Sequence, residues 1–377
     1  MRIPIKWESS TDNSLFNPIS GANGQNYQPQ ALNVTTYFRR LTSCGIEDYA
    51  TWNTAVVNVY PQVVAGSISP GDQTINYNTA PTGLSLSGNS GGNGTYAITW
   101  QSSSDPGFPS PTNVGAGTTY SPGQQINTTW FRAMVNSNGA IAYSSAIAVN
   151  VLPQLITGAI SPSGQWVNYQ TSALLGVVGT TGGDGYYNYQ WYSDASGSFQ
   201  LLAGANGSSY SSGPLTEVTH FYVITGSNGV YVTSGQATVN AYPQLVSGTV
   251  SAISQKIDYN TTPAAMNISG ASGGNGTYTY QWYSDGGGSF QPISGATNTS
   301  YTSGALTTTT HFYVLTSSNG AQITSATATV EVGPAPIPGV ITPSYITIAA
   351  GSNPGNFACT PAQSGTGGIF LSLAVFC

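Results

Sequence analysis

A tryptophan closing a short alternating run recurs four times in this chain, as Ile5-Lys6-Trp7, Ile98-Thr99-Trp100, Tyr189-Gln190-Trp191 and Tyr280-Gln281-Trp282. The tryptophans stand 93, 91 and 91 residues apart. That period is the length of a small domain and far exceeds the unit of a closely stacked solenoid, so the chain reads as beads on a string.

Other landmarks keep the same phase. A Gly-Ala pair precedes a tyrosine in Gly21-Ala22…Tyr27, Gly115-Ala116…Tyr120, Gly204-Ala205…Tyr210 and Gly295-Ala296…Tyr301. An aromatic pair follows as Tyr37-Phe38, Trp130-Phe131, His220-Phe221 and His311-Phe312. Each unit then ends on an alternating run that meets a proline, at Pro61, Pro153, Pro243 and Pro334. These joins predict complete units over 62–153, 154–243 and 244–334. Partial units are predicted over 1–61, with the C-terminal strands, and 335–377, with the N-terminal strands.

Inside one unit, short runs of alternating polarity are separated by Gly, Asn, Ser and Pro, the residues that turns require. In the second unit the expected strands are roughly 62–69, 73–77, 83–87, 95–102, 118–120, 128–135 and 140–151. About seven strands in so short a unit describe an all-β, antiparallel sandwich. Period-2 alternation puts Leu84 and Leu86 on a buried face opposite Trp100, with Phe131 closing the core. The expected core residues are thus Trp7, Trp100, Trp191 and Trp282 with Phe38, Phe131, Phe221 and Phe312. No helix longer than a turn is expected.

Composition excludes several functions. Charged residues make up only 5%, six basic against twelve acidic, and no basic stripe exists to follow a phosphate backbone, so nucleic acid is not an expected partner. No apolar stretch is long enough to span a membrane as a helix. The start Met1-Arg2-Ile3-Pro4-Ile5-Lys6 lacks a signal-peptide core, which places any export signal outside this sequence. Three cysteines in 377 residues give neither a disulfide scaffold nor metal-ligand spacing.

Catalytic chemistry finds no support either. His220 and His311 stand where sister units carry Tyr37 and Trp130, and a general base or metal ligand does not exchange with tryptophan. Asp12, Asp105, Asp194 and Asp285 follow the strand tryptophans where the chain must turn, a position that suits their local bonding to backbone. No acidic cluster provides the oxygens of a calcium site. Gly273-Gly274-Asn275-Gly276 and its relatives lack the helix and lysine of a phosphate loop. Cofactors, metals and enzymatic activity are therefore not expected. Tyr192 and Tyr283 should point away from the core, where they cover the sheet or, less simply, stack on a sugar.

The succession Tyr-Gln-Trp, Ser-Asp, Gly-Ala…Tyr, Leu-Thr-x-x-Thr-x-Phe-Tyr, Ser-Asn-Gly and Val-x-Val resembles the immunoglobulin-like repeats of very large secreted bacterial surface proteins. Those include the gliding-motility adhesins exported by the type IX route. Ser9-Ser10-Thr11-Asp12-Asn13, Thr35-Thr36-Tyr37-Phe38-Arg39-Arg40 and Thr42-Ser43-Cys44 follow that pattern almost continuously. The resemblance implies tandem immunoglobulin-like β-sandwiches, an extracellular location on a bacterial surface, and no catalytic residues to carry over.

The two partial units are complementary. Residues 336–368 hold the first strands of a unit and residues 1–60 the rest, while the ending 369–377 departs from the repeat as a change of reading frame would. Cys359 falls on the strand of Leu86 and Ile268, and Cys44 follows the strand of Phe38. Three intervening domains of about 30 Å each exceed the roughly 7 Å reach of a disulfide between α-carbons, so these two cysteines are expected to pair only between subunits or in a longer parent chain.

The sequence thus predicts a non-enzymatic segment of a cell-surface adhesin, stalk or filament. Its partners would be itself, head to tail, other repeats of a longer parent, or surface glycans and proteins. The alternatives are a self-assembling filament subunit and a carbohydrate-binding module.

Overall fold

The computed structural model describes residues 3–44, 47–50, 53–286 and 288–360, with the side chains of Cys44, Tyr49 and Ala50 outside that set. The aberrant ending and Cys377 lie outside the described residues. No helix occurs among those described. By backbone contacts the chain falls into two compact units. One holds the residues up to Ile156 with Thr181–Tyr186 and Ser227–Val230; the other holds Thr157–Thr180, Tyr187–Gly226 and the residues from Tyr231 onward.

The first unit opens with one sheet made of β1 (Ile5–Ser10), β2 (Asn17–Pro18), β3 (Thr36–Cys44), β4 (Glu47–Ala50) and β5 (Ala55–Val57). Its order is β2-β1-β3-β4, with β5 also on β3. The second repeat follows with β6 (Ser67–Ser69), β7 (Gln73–Ile75), β8 (Leu84–Ser87), β9 (Ala97–Ser103), β10 (Thr112–Ala116), β11 (Thr119–Tyr120), β12 (Thr129–Ser137), β13 (Ala140–Tyr143) and β14 (Ile147–Val151). These make a large sheet, β10-β9-β12-β14-β7 with β13 on β12, and a small sheet, β11-β8-β6. All pairings are antiparallel except the edge strand β7, which runs parallel to β14.

Alternation explains the core. Phe131, Ala133 and Val135 of β12, Val149 of β14, Trp100 of β9, and Leu84 and Leu86 of β8 turn inward and form one buried cluster between the sheets. Two differences from the sequence expectation have physical causes. The stretch 140–151 is two strands, because Ser144 breaks it: its amide donates to Ala133 O at 3.0 Å while its hydroxyl accepts from Ala133 N at 2.9 Å. The side chain thus replaces a backbone acceptor where β12 changes partner. Strand β10 was not expected, being flanked by Pro and Gly; Gly115 is required there, since a Cβ would come within 2.7 Å of the Tyr120 ring.

The second unit repeats this plan. A small sheet of Ala159–Ser161, Leu174–Val178 and Ser209–Ser211 accompanies a large one centred on Asn188–Ser193, Thr219–Ser227 and Ala237–Ala241, with Gly164–Val167 parallel at its edge. A further pair centres on Met266–Ser269 and on Thr279–Ser284, Thr310–Ser318 and Ala328–Val332. Ile341–Thr342 and Ala358–Cys359 form a final two-stranded sheet. The architecture is a tandem array of immunoglobulin-like β-sandwiches.

Candidate functional site

Trp100, Trp191 and Trp282 are each 0% exposed. Each indole Nε1 still finds an acceptor at 2.9 Å, on Gly117, Gly207 and Asn298 respectively, which removes the cost of burying a polar N–H. Tyr120, Tyr210 and Tyr301 pack between these indoles and Phe131, Phe221 and Phe312. Burial pushes the three tyrosine hydroxyls above their ordinary pKa. Trp7 makes the same contacts, to Gly24 O at 3.0 Å and to Tyr27, and Phe38 is buried. Trp7 is nevertheless only half-buried, because no second sheet lies over it among the described residues of that segment.

The outer face of each large sheet carries a cluster at one register position. In the two later repeats Tyr192 stacks on Tyr222 and Tyr283 on Tyr313, both at 4.8 Å and 7°, with Phe199 and Phe290 tilted against the second ring. The corresponding positions in the first unit are polar. Arg132 bonds Gln101 at 2.9 Å and lies over Phe108 and Tyr143; Arg39 pairs with Glu8 at 2.8 Å and lies over Phe16. Tyr222 and Tyr313 are therefore held between other rings, an arrangement that covers sheet and leaves little flat surface for a sugar.

The histidines have partners that the sequence reading missed. Asp194 accepts from the His220 amide at 2.7 Å and meets its Nδ1 at 2.7 Å; Asp285 does the same with His311 at 2.9 and 2.6 Å. Burial opposes ionisation of Asp194, but the amide and ring of His220 outweigh it and hold the carboxyl below its ordinary pKa. A signal was present: histidine occurs in the two repeats whose aspartate follows the tryptophan by three residues, and not in the two where the interval is five. Among the described residues no group of three or more His, Cys, Asp or Glu side chains could hold a metal ion.

The joins hold the most regular polar structure. In the loop Gly91-Gly92-Asn93, Ser137 Oγ donates to Asn93 Oδ1 at 2.9 Å and accepts from its amide at 3.0 Å. Asp184 with Ser227 and Asn275 with Ser318 repeat this, and the Ser227 hydroxyl, followed by the Tyr186 amide, holds Asp184 below its ordinary pKa. The second glycine of each loop must stay bare. At Gly92, φ is +56° and a Cβ would lie 2.1 Å from Ser137 Oγ. Its amide, like those of Gly183 and Gly274, donates to the join proline, reaching Pro61, Pro153 and Pro243 at 2.8 to 2.9 Å.

A reciprocal asparagine contact adds to two of these joins. Within the first unit Asn76 Nδ2 donates to Asn228 O at 3.1 Å, and Asn228 Nδ2 returns a bond to Asn76 Oδ1 at 2.9 Å. Within the second, Asn168 and Asn319 make the same pair at 2.9 and 3.2 Å. Asn138 occupies the matching turn of the second repeat, at φ +51° against +47° for Asn228 and Asn319. Beside it a cavity of about 400 Å³ lies against Tyr60, Pro61 and Ile141. The matching cavity in the second unit is about 190 Å³ and is lined in addition by Asn168 and Tyr169.

The remaining expected site residues are the cysteines. Cys359 is exposed with a free thiol, and Cys44 ends β3. No helix among the described residues is long and apolar enough to cross a membrane.

Among solved structures, an I-band fragment of titin superposes with a TM-score of 0.41 at 8% identity, covering 73% of this chain and 99% of that one. Immunoglobulin domains 1–4 of Sidekick-1 give 0.27 at 13%, over 88% and 91%. The chicken CNTN1 FN1–FN3 domains give 0.27 at 12%, over 72% and 98%. No curated protein sequence matches the chain. A family profile described as a domain of unknown function, DUF8696, matches residues 3–61, 64–153 and 246–334. These three stretches make up well over half of the sequence, and the chain belongs to that family.

Proposed function

We propose that this chain is a non-enzymatic segment of a bacterial cell-surface adhesin, stalk or filament that extends and presents surface. The observation that carries the reading is the construction of the joins. A proline fixes the backbone, the carbonyls of Pro61, Pro153 and Pro243 are bonded to the following glycine loop, and two of these three joins add paired asparagines. Such joins resist bending in a way that glycine-rich linkers do not. Low charge removes most long-range repulsion between repeats, and the resemblance of the repeats to secreted surface proteins supports an extracellular location.

The test is a distance distribution across the second join, between spin labels in the repeats on either side. The natural chain should give a narrow peak that broadens in the double variant Asn76→Ala, Asn228→Ala. A natural distribution already as broad as the variant's would sink the reading. Failure to find the chain on intact bacterial cells by antibody labelling would sink the surface location separately.

A further inference from the structure

We infer that the single sheet of residues 3–60 is a docking site for residues 338–360 of a second copy of this chain. The inference does not depend on the surface location proposed above.

The sister repeats show what covers such a sheet. In the second repeat the large sheet is closed at its edge by β7, parallel to β14 with Val149 opposite Gln73 and Val151 opposite Ile75. Strand β5 is the counterpart of β14, since Phe38 pairs with Ala55 as Phe131 pairs with Ile147. Among the described residues β5 pairs only with β3, and its outer edge is open. Around it Trp7 is half-buried and Val34, Val56 and Val57 are exposed.

A segment with the register of such a layer exists elsewhere in the chain. Ile341 pairs with Cys359 and Thr342 with Ala358, the register in which Ile68 pairs with Leu86 and Ser69 with Ser85 in the small sheet of the second repeat. Pro343 stands three residues before Ile346 as Pro70 stands before Gln73. Residues 346–348 therefore correspond to the parallel edge strand. Val340, Ile341, Tyr345, Ile348 and Phe357 are exposed in the chain by itself. Residues 338–360 contain no charged side chain, so no charge is desolvated when they are covered.

The occupant follows. An extended segment adds to an open sheet edge through main-chain bonds, with alternate side chains giving the register. Val57 should face Ile346, Asn58 Thr347 and Val59 Ile348, while Ile341 and Cys359 cover Trp7 and Phe38 as Ile68 and Leu86 cover Trp100 and Phe131. Residues 3–60 and 338–360 are present in every copy of the chain, so a second copy carries the segment that fits this edge.

The experiment is sedimentation velocity of the full chain across a concentration series under reducing conditions, with hydrogen exchange at the amides of Asn58 and Tyr60, the counterparts of Asn150 and of Leu152, whose amide donates to Ile75 O. The expected result is a ladder of oligomers that grows with concentration, with exchange at Asn58 and Tyr60 slowing in step. Ile348→Asp, at a residue exposed in the single chain, should weaken association by about tenfold or more, because its carboxylate would be buried on docking. Leu174→Asp, at a still more exposed leucine of the third repeat, should leave association unchanged. Monomer at every concentration, oligomers undiminished in Ile348→Asp, or protection of Asn58 and Tyr60 that does not depend on concentration would each overturn the inference.

Discussion

Residues 3–60 and the second repeat carry the same motif in two states of cover. Trp7 and Trp100 have the same indole bond, at 3.0 and 2.9 Å, and the same tyrosine against the ring, at 5.8 and 5.9 Å. Trp100 is fully buried and Trp7 is not. One sheet and its Gly-Ala turn are therefore enough to set the local geometry. The second sheet adds burial, and burial is where most of the free energy lies.

The largest difference between the two regions is expected at the tryptophans. Trp100→Ala removes a fully enclosed ring and should cost about 3–5 kcal/mol. Trp7→Ala starts from a ring still in contact with water and should cost about 1–2 kcal/mol on area grounds. Urea unfolding followed through each repeat separately would measure both, and equal costs would show that the second sheet adds little.

Next come the glycine loops. Gly92→Ala combines left-handed backbone with a Cβ 2.1 Å from a serine hydroxyl, and should cost about 2 kcal/mol or more. Gly94→Ala, at φ +81° with nothing within 4 Å of its Cβ, should cost about 1–2 kcal/mol from the backbone alone. Thermal melts of the two variants separate steric from conformational expense, and a reversed order would contradict the role given to the serine.

A smaller effect is expected at the histidines. His220→Tyr loses the ring bond to Asp194 but keeps the amide bond, in a position that Tyr37 fills in a sister repeat. The cost should be about 1 kcal/mol or less for a partly exposed pair. Loss of any binding behaviour with an unchanged melting temperature would instead mark the pair as a functional site.

The smallest change concerns acid. The folded chain holds the Asp184 carboxyl below its ordinary value, so its stabilisation is complete above the unfolded value of about 3.9 and is lost as pH falls through the folded value. Asp184→Asn should flatten that acid loss while leaving neutral stability nearly unchanged, because Asn93 and Asn275 make the same serine contact. Urea midpoints near neutrality and near pH 3 give the comparison. An undiminished acid slope would place the titration elsewhere.

How much of this was legible in the sequence depended on the range of the interaction. The strands around Trp100 and Phe131, and the inward turn of Leu84 and Leu86, follow from alternation, a local signal. The role of Ser144 does not: a hydroxyl standing in for a ladder acceptor leaves no trace in a polarity pattern. The His220–Asp194 and Asn76–Asn228 contacts join residues 26 and 152 apart and show no spacing of their own. The repeats nevertheless supply four versions of one site. Histidine appearing only where the aspartate interval shortens, and Ser-Asn-Gly recurring at Asn138, Asn228 and Asn319, are changes that repeat-against-repeat reading can pair. Trp166, stacked on Tyr242 at 4.7 Å and exposed, has threonine and lysine as its sister residues, and nothing in the structure explains the exchange.

Complete sandwiches should unfold as separate units, and the single sheet of residues 3–60 should yield before them. Pulling one chain from its ends measures this directly. A repeat of some ninety residues releases about 300 Å of contour length, so the account predicts three steps of about that length at comparable force, with residues 3–60 extending at lower force. One cooperative rupture of the whole chain, or a further high-force step from residues 3–60, would contradict it.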